Sequence, residues 1–313
     1  MSFAAPTWWP QETVACFDDL ASYRLVGASA CAERISAALI SLSHRVQENE
    51  RDLVVELAQA GRVFCALKPD TALYVNVVEL VAQANQHDRA ADVVERAVSL
   101  SQYRRQAQRQ LVEHATSELA ETGLLLVHDY SSTVLRILAE LGTRRPRRVI
   151  VTAGEPLGQG EKVAHLVGSF GHQVIYTPDM SVSRVIKGAD AFITGVESFY
   201  ADGSLANTVG TLMLGLLCRE HGIPMIAPTE CLKYDRLRHS ADADALTARL
   251  LNPWFEDGGS QICDWQIEDH VLDAVPSSLV SSYVTETGKS SPGDVGATAL
   301  AVWAGVAGGQ CGR

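Results

Sequence analysis

The stretch Lys187–Thr211, KGADAFITGVESFYADGSLANTVGT, carries the pattern that decides the fold. A small-residue step, Gly188-Ala189-Asp190, stands directly before an apolar, β-prone run, Ala191–Thr194. An acidic loop follows, and Gly210-Thr211 then opens an apolar helical pattern. A buried strand with a glycine-rich entry to a helix is typical of ligand sites in α/β proteins, because N–H groups at a helix start can face an anion or a sugar oxygen. For so short a motif, the alternative that Asp190 only caps nearby backbone groups stays open.

The spacing of apolar residues in the chain changes near residue 120. Residues 11–118 show mostly helical spacing of apolar residues, which predicts a helical N-terminal domain over residues 1–120. After that point short apolar runs alternate with helices of about ten residues, which indicates a Rossmann-like, doubly wound parallel sheet in a ligand-binding domain over residues 121–313. The predicted strands are Leu124–Val127, Arg148–Thr152, Val174–Tyr176, Ala191–Thr194 and Pro224–Ala227.

Polar segments follow each predicted strand. In a doubly wound sheet, ligands bind beyond the carboxyl ends of the strands, so these segments are expected to meet at one edge. They are residues 128–132, 153–160, 178–181, 194–211 and 228–235.

Composition excludes several classes of function. A formal net charge of −11 argues against nucleic acid as a partner, and the one basic run, Arg144–Arg148, is interpreted as a solvated linker. No apolar run reaches membrane-spanning length, and the N-terminus lacks the basic start of a secretion signal. The seven cysteines show no C-x-x-C spacing, so neither a disulfide framework nor a metal site is indicated. We therefore expect a cytoplasmic protein that binds a small molecule without a cofactor.

Short motifs spread along nearly the whole chain resemble those of one family and stand in the same order. That family contains methylthioribose-1-phosphate isomerases, ribose-1,5-bisphosphate isomerases and initiation factor 2B alpha-type subunits. No single motif is specific, but the ordered set is. The motifs are Gly27-Ala28, Lys68–Ala72, the segment VHDYSSTVLRIL from Val127, Gln159-Gly160, Asp179, Gly188–Asp190, Asn207 with Gly210-Thr211, Glu230 with Lys233, and LDAVPSSLVSSYVTETG over residues 272–288.

The resemblance implies a site and a reaction. The family's isomerases convert an aldose 1-phosphate into a ketose, with a cysteine and an aspartate as the proton-handling pair. Asp190 matches the aspartate, and Asp129 stands at the cysteine position, which is a departure from the family. These two are the expected catalytic residues. The expected substrate-binding residues are Gly27, His128, Ser131, Glu155, Gln159, Gly160, Asn207, Gly210, Thr211 and Lys233.

Three basic positions that the family places around phosphate are also changed. Val26 and Glu155 stand where the resemblance predicts arginine, and Thr208 stands where it predicts lysine. A sugar bisphosphate needs charge-assisted donors, and like charges about 4 Å apart cost roughly 4 kcal/mol at an effective dielectric constant of about 20. The sequence therefore favours a neutral, monophosphorylated or cationic substrate, with backbone amides near Gly158–Gly160 and Gly210-Thr211 still available to it.

Three functions remain open on the sequence. If Asp129 and Asp190 face each other, repulsion and burial raise the pKa of one carboxyl, and the pair can act as acid and base in an aldose–ketose isomerase. A non-catalytic ligand-binding subunit of the initiation factor 2B alpha type is the second hypothesis. A dehydratase, epimerase or related lyase on the same scaffold is the third.

A homodimer is also expected. The resemblance implies pairing through the C-terminal domain. The apolar segment VLDAVPSSLVSSYV, residues 271–284, is predicted to supply C-terminal surface for it.

Overall fold

The computed structural model describes residues 5–22, 24, 27–155, 157–243, 246 and 270–308. Contacts between residues divide the chain into two compact units, one made of residues 1–107 with 301–313 and the other of residues 108–300. The division falls inside a long helix. The predicted boundary near residue 120 lies just after that helix and stays a prediction about where separate domains begin.

The first unit is built from helices α1 (Gln11–Ala21), α2 (Ala28–Glu48), α3 (Leu53–Leu67), α4 (Ala72–Ala82) and the first part of α5 (Ala90–Glu118). Apolar residues at helical spacing fill its core, as Leu39 and Phe64 do at 0% exposure. The Tyr74 hydroxyl donates to the Phe64 carbonyl (2.6 Å), so the buried ring keeps a partner for its polar end.

The second unit contains a seven-stranded sheet. Along the chain its elements are β1 (Leu124–Val127), α6 (Ser132–Arg144), β2 (Arg148–Thr152), α7 (Gly160–Ser169), β3 (Gln173–Thr177), β4 (Ala191–Ile193), β5 (Ser198–Phe199), β6 (Leu205–Thr208), α8 (Thr211–Glu220), β7 (Met225–Pro228), β8 (Leu272–Val275), β9 (Ser282–Thr285), β10 (Gly288–Ser290) and α9 (Val295–Ala307), which continues into the first unit.

Strand order in the large sheet is β10-β9-β7-β4-β1-β2-β3. Every pair is parallel except β9 with β10. Strands β1, β2, β4 and β7 are almost wholly buried, as expected of a parallel sheet covered on both faces. The predicted helical N-terminal part and Rossmann-like parallel sheet are confirmed.

A second, three-stranded antiparallel sheet has the order β5-β6-β8. Its strand β8 and the following β9 come from the segment predicted to be apolar dimer surface. The interpretation of that segment as surface is wrong, because most of its large apolar side chains are buried within the protomer. Those residues are Val275, Leu279, Val280, Tyr283 and Val284. None of the helices in the described part of the chain combines the length and apolar character that crossing a membrane requires.

Candidate functional site

The site lies where the sheet changes direction. From β1 the chain builds β2 and β3 to one side, whereas β4 and β7 extend the sheet on the other side of β1. Ligands of open α/β sheets bind outside the carboxyl ends of the strands at such a switch point. Asp129 follows β1 there, and the loop Gly195–Glu197 follows β4.

Asp129 is held in an unusual conformation at this edge. Its φ of 58° places a non-glycine residue in the left-handed region, which stores backbone strain and is a frequent mark of functional sites. The Thr208 hydroxyl donates to one carboxyl oxygen, Oδ2 (2.6 Å). The other oxygen, Oδ1, is buried and has no hydrogen-bond partner within the described residues. The carboxyl group is thus anchored by Thr208 through one oxygen, while the other oxygen is enclosed without a hydrogen bond in the described part of the chain.

The pKa of Asp129 is raised above the ordinary value of an aspartate. Burial is the main cause, since it disfavours the charged form, and repulsion from Asp179 adds to it. The hydrogen bond from Thr208, the approach of the Tyr130 backbone N–H and the proximity of His128 act in the opposite direction without cancelling the effect of burial. Asp129 is therefore suited to hold a proton and to donate it.

His128 does not offer a free nitrogen to a ligand. Its Nε2 donates to the Val209 carbonyl (2.8 Å), because a carbonyl oxygen can only accept. Its Nδ1 lies 2.6 Å from the Thr152 hydroxyl and 3.9 Å from a carboxylate oxygen of Asp179. With both ring nitrogens engaged, His128 ties the end of β1 to β2 and to the loop before α8, and so fixes the backbone next to Asp129.

The Gly210 amide, expected to face the substrate, is instead bonded to a carboxylate of the chain itself, and so are three neighbouring or comparable amides. Asp273 accepts from the N–H groups of Gly210 and Leu212 at the start of α8 (2.9 Å each). Asp179 likewise accepts from the N–H groups of Gly154 and Glu155 after β2 (3.0 and 2.8 Å). A helix N-terminus or a glycine-rich loop attracts anions, and both places already hold one.

The Gly158–Gly160 loop is used in the same internal way. The Gly158 N–H donates to the Gly154 carbonyl (2.7 Å), and the Gly160 N–H donates to the Ala153 carbonyl (2.9 Å). The expectation that the amides of Gly158, Gly160 and Gly210 are available to a substrate is therefore wrong. Contacts within the chain satisfy them first.

The predicted meeting of Asp129 with Asp190 is also wrong. Asp190 precedes β4, and its Oδ2 accepts from the N–H groups of Gly123 (2.6 Å) and Leu124 (2.8 Å) at the start of β1. These residues mark the amino edge of the parallel strands, whereas Asp129 lies at the carboxyl edge. Asp190 is a backbone cap that links β4 to β1.

Replacing Asp190 is thus expected to affect stability and not chemistry. Asp190→Ala leaves two N–H groups without their charged acceptor and is expected to lower the free energy of unfolding by roughly 1–2 kcal/mol. Asp190→Asn, which keeps an acceptor oxygen, should cost less. Urea unfolding measures both variants. A catalytic defect in the folded Asp190→Asn variant, with unchanged stability, would contradict this assignment.

Glu197 is the acid that sequence reasoning does not single out. The chain contains a second glycine–apolar–acid step, Gly195-Val196-Glu197, and this one follows β4 instead of preceding it. The half-buried Glu197 donates its N–H to the Ala206 carbonyl, and Lys233 Nζ donates to the carbonyl of Val196 (2.5 Å). The position of Glu197 after the strand, at the edge where ligands bind, is the signal that could identify it.

Gly195 connects this loop to the neighbours of Asp129. A Cβ on Gly195 would lie 3.1 Å from side-chain atoms of both Ser131 and Asn207, so the backbone packs closely against them. With its nitrogen turned toward Gly195, the Asn207 amide donates to the Gly195 carbonyl (3.2 Å) and accepts from the Thr208 N–H (3.2 Å). The loops after β1, β4 and β6 therefore form one closely packed unit.

Other predicted site residues have simpler surroundings. The Ser131 hydroxyl caps α6 by accepting from the Val134 N–H (3.4 Å), and the Thr211 hydroxyl donates to the Thr208 carbonyl (2.7 Å). The Gln159 amide approaches the Leu157 carbonyl (3.5 Å), and Glu155 is exposed.

The early glycine belongs to the first unit. Gly27 precedes α2 with a φ of 87°. Val26, interpreted as a changed arginine, lies outside the described residues.

Neither Cys231 nor any cluster of metal-binding side chains in the described part of the chain supports thiol or metal chemistry. Cys231 is buried beside Glu286, and burial together with that carboxylate raises the pKa of its thiol, so it is not a thiolate nucleophile. Among the described residues, no group of three or more histidine, cysteine or acidic side chains is placed to hold a metal ion.

The fold defines an α/β protein that carries acidic side chains at the switch point of its sheet. The chain belongs to the initiation factor 2 subunit family, whose model matches residues 24–292. Relatives that match the chain are named both as sugar-phosphate isomerases and as initiation factor subunits.

The relatives cover most of this chain at low identity. A ribose 1,5-bisphosphate isomerase of Methanocaldococcus jannaschii is 22% identical over 84% of this chain and 85% of its own length. The crystal structure of a Pyrococcus horikoshii translation initiation factor eIF-2B aligns with a TM-score of 0.77 at 22% identity, over 90% of this chain and 98% of that one. A 5-methylthioribose 1-phosphate isomerase of the same organism aligns with a TM-score of 0.70 at 17% identity, over 93% and 88%. At such identities the solved structures establish the shared fold.

Proposed function

We propose that this chain is an aldose–ketose isomerase-like enzyme that acts on a sugar-derived small molecule by carboxylate acid–base catalysis. The observation that carries the proposal is Asp129. Its backbone is strained, only one of its carboxyl oxygens has a hydrogen-bond partner in the described residues, and its pKa is raised. It also lies at the switch point where α/β proteins bind ligands. The isomerase names among the relatives support the same class of reaction.

Glu197 is the second carboxylate in this proposal and replaces Asp190. In the reaction, the Glu197 carboxylate removes the proton from the carbon next to the carbonyl group. Asp129 donates its proton to the carbonyl oxygen, which gives an enediol. Glu197 then returns its proton to the former carbonyl carbon, and the Asp129 carboxylate takes the proton from the hydroxyl oxygen of the neighbouring carbon, which becomes the carbonyl group of the ketose and restores both side chains. Proton transfers of this kind by positioned side chains typically contribute about 10²–10⁴-fold each.

The substrate carries few negative charges at this edge. Asp179 and Asp273 already occupy the amides after β2 and at the start of α8. A phosphate at either place would have to displace a carboxylate or lie beside it, and no arginine compensates at position 155. A neutral, monophosphorylated or amino sugar derivative therefore suits the site better than a bisphosphate.

The test detects proton abstraction whatever the final product is. The full chain is incubated in D₂O with a panel of aldoses, aldose monophosphates and amino sugars. NMR then measures exchange of the hydrogen next to the carbonyl group. We expect at least one sugar to exchange with the wild type, and exchange to slow by about 100-fold or more in Asp129→Asn and in Glu197→Gln. Absence of exchange across the panel, or equal exchange in Asp129→Asn, would overturn the proposal.

A non-catalytic role stays as the second candidate because a specific observation favours it. The acid pair expected from the resemblance is split between the two edges of the sheet, and relatives named as eIF-2B subunits match the chain over similar lengths. Such a subunit would bind a sugar derivative with no exchange in the D₂O test.

The dimer remains a prediction, now without its apolar surface argument. Its support is that a protein of the same fold from C. thermophilum assembles into a tetrameric eIF2B-beta2-delta2 complex. We expect light scattering at micromolar concentration to give twice the mass of the 33.7 kDa chain. A monomer mass under those conditions would contradict the prediction.

A further inference from the structure

A cavity of about 360 Å³ lies at the amino edge of the large sheet, away from Asp129. It is lined by residues that precede or begin three adjacent strands, β1, β2 and β3. These residues are Gly123, Arg145, Pro146, Arg147, Arg148, Gly171 and Gln173. The proposed reaction uses none of them.

Within the described residues no ion pair of 4 Å or less joins Arg145, Arg147 or Arg148 to a carboxylate, although Glu121 is near enough to Arg147 to interact with its charge. Arg145 Nη2 donates to the Thr122 carbonyl (3.1 Å). Arg147 donates to the carbonyls of Arg145 (2.6 Å) and Ala120 (2.8 Å), and its Nε is buried without a hydrogen bond in the described part of the chain. Arg148 is exposed at the start of β2. Three positive charges are thus gathered on a chain whose net charge is −11.

The arrangement is held in place by the backbone. Arg147 is 5% exposed, so its guanidinium group is fixed by packing and by the two carbonyls it bonds. Pro146 restricts the chain between Arg145 and Arg147. Two carboxylates are near: Asp190 borders the cavity beside Gly123, where its Oδ2 accepts two backbone N–H groups, and Glu121 acts on Arg147. Three guanidinium groups against two carboxylates leave an excess of positive charge.

We propose that this cavity, lined by Arg145, Arg147 and Arg148, binds a small phosphate-bearing anion. Gathered guanidinium groups repel one another unless an anion lies between them, and the planar guanidinium matches phosphate oxygens in a bidentate manner. The volume admits a phosphate or pyrophosphate group. The site is separate from the carboxyl edge, so the ligand is a second molecule and not the sugar of the proposed reaction.

Calorimetric titration of the full chain with pyrophosphate and with inorganic phosphate tests the proposal. We expect saturable binding of one anion per chain, weakened at least tenfold in the double variant Arg145→Ala/Arg148→Ala. Arg147 is left intact because its buried guanidinium supports the Ala120 carbonyl. Arg144→Ala is the matched control, since Arg144 is adjacent in sequence, pairs with Glu140 (3.2 Å) and does not line the cavity.

Two further measurements separate this site from the carboxyl edge. Asp129→Asn should bind pyrophosphate as the wild type does, and far-UV circular dichroism should be the same for all variants. No saturable binding to the wild type would overturn the proposal. An equal loss in Arg144→Ala, or a loss confined to Asp129→Asn, would overturn it as well. The result of the D₂O exchange test does not bear on it.

Discussion

Asp129→Asn is expected to make the protein more stable at neutral pH while it abolishes acid catalysis. Asparagine keeps an acceptor for the Thr208 hydroxyl and tolerates the left-handed conformation better than most residues, so the site should fold unchanged. It removes a carboxyl group that burial makes costly to ionise. Active-site residues that reduce stability in this way are a frequent cost of function.

The gain in stability has a defined pH dependence. An unfolded aspartate has a pKa of about 3.9, and that of folded Asp129 is higher, so the folded state binds more protons between the two values. The favourable contribution of Asp129 is therefore complete below the unfolded pKa and is lost as pH rises through the folded pKa. The Asn variant does not undergo this loss of stability. The loss amounts to about 1.4 kcal/mol for each unit by which folding raises the pKa of Asp129.

Urea unfolding from about pH 3.5 to about pH 8, a range that starts just below the pKa of an unfolded aspartate, measures the effect. The difference in free energy of unfolding between Asp129→Asn and the wild type should be nearly constant at the acid end of this range. It should then grow as pH rises and level off. Asp129→Gly is the matched control, because it relieves backbone strain at every pH and loses the same carboxyl group. The two variants should share the pH-dependent part and differ by an offset. If plots of the free energy of unfolding against pH ran parallel for the Asn variant and the wild type, the pKa of Asp129 would not be raised by folding.

The sheet is largely predictable because each of its first five strands in the chain is a short apolar run between a helix and a polar loop. Periodicity and turn residues are local signals, and the strands after Gly123, Arg147 and His172 begin within about two residues of their predicted starts. Strands β9 and β10 are not predicted. Their residues, SYVT and GKS, contain no apolar run longer than two residues, so no local strand signal marks them.

The site is predictable only in part because its decisive contacts are long-range. The strand that Asp129 follows places it at the carboxyl edge of the sheet, as predicted from the strand's position in the sequence. Asp190 is misassigned because two glycine-containing acidic steps flank one three-residue strand, and resemblance alone selects the wrong one. The N–H groups at the start of α8 are bonded by Asp273, which lies 63 positions from Gly210 in the chain. No local sequence pattern indicates such a contact.

The two departures from the family pattern that concern Asp129 are in contact. Aspartate stands where the resemblance predicts cysteine, and threonine at 208 stands where it predicts lysine. The hydroxyl of Thr208 donates to Asp129 at 2.6 Å. A lysine there would place an ammonium group beside the carboxylate and favour its charged form. Threonine supplies a hydrogen bond without charge, so burial prevails and the acid can keep its proton.

Thr208→Lys should therefore reverse the direction of the pKa shift at Asp129. Opposite charges about 4 Å apart at an effective dielectric constant of about 20 interact by roughly 4 kcal/mol, which is about three pKa units. We expect the titration midpoint of Asp129 to fall below the ordinary aspartate value. Proton exchange of the substrate at neutral pH should fall at least about 100-fold, since the acid form is no longer populated. Carbon-detected NMR of the labelled aspartate carboxyl groups follows the midpoint directly.

Thr208→Val is the control of matched shape for this experiment. It removes the hydroxyl, whose hydrogen bond lowers the pKa of Asp129, and adds no charge. The midpoint should then rise above that of the wild type. The two variants thus move the same carboxyl group in opposite directions from one position in β6. If both variants raised the midpoint, or if neither moved it, the absence of a charge at position 208 could not be what lets Asp129 keep its proton.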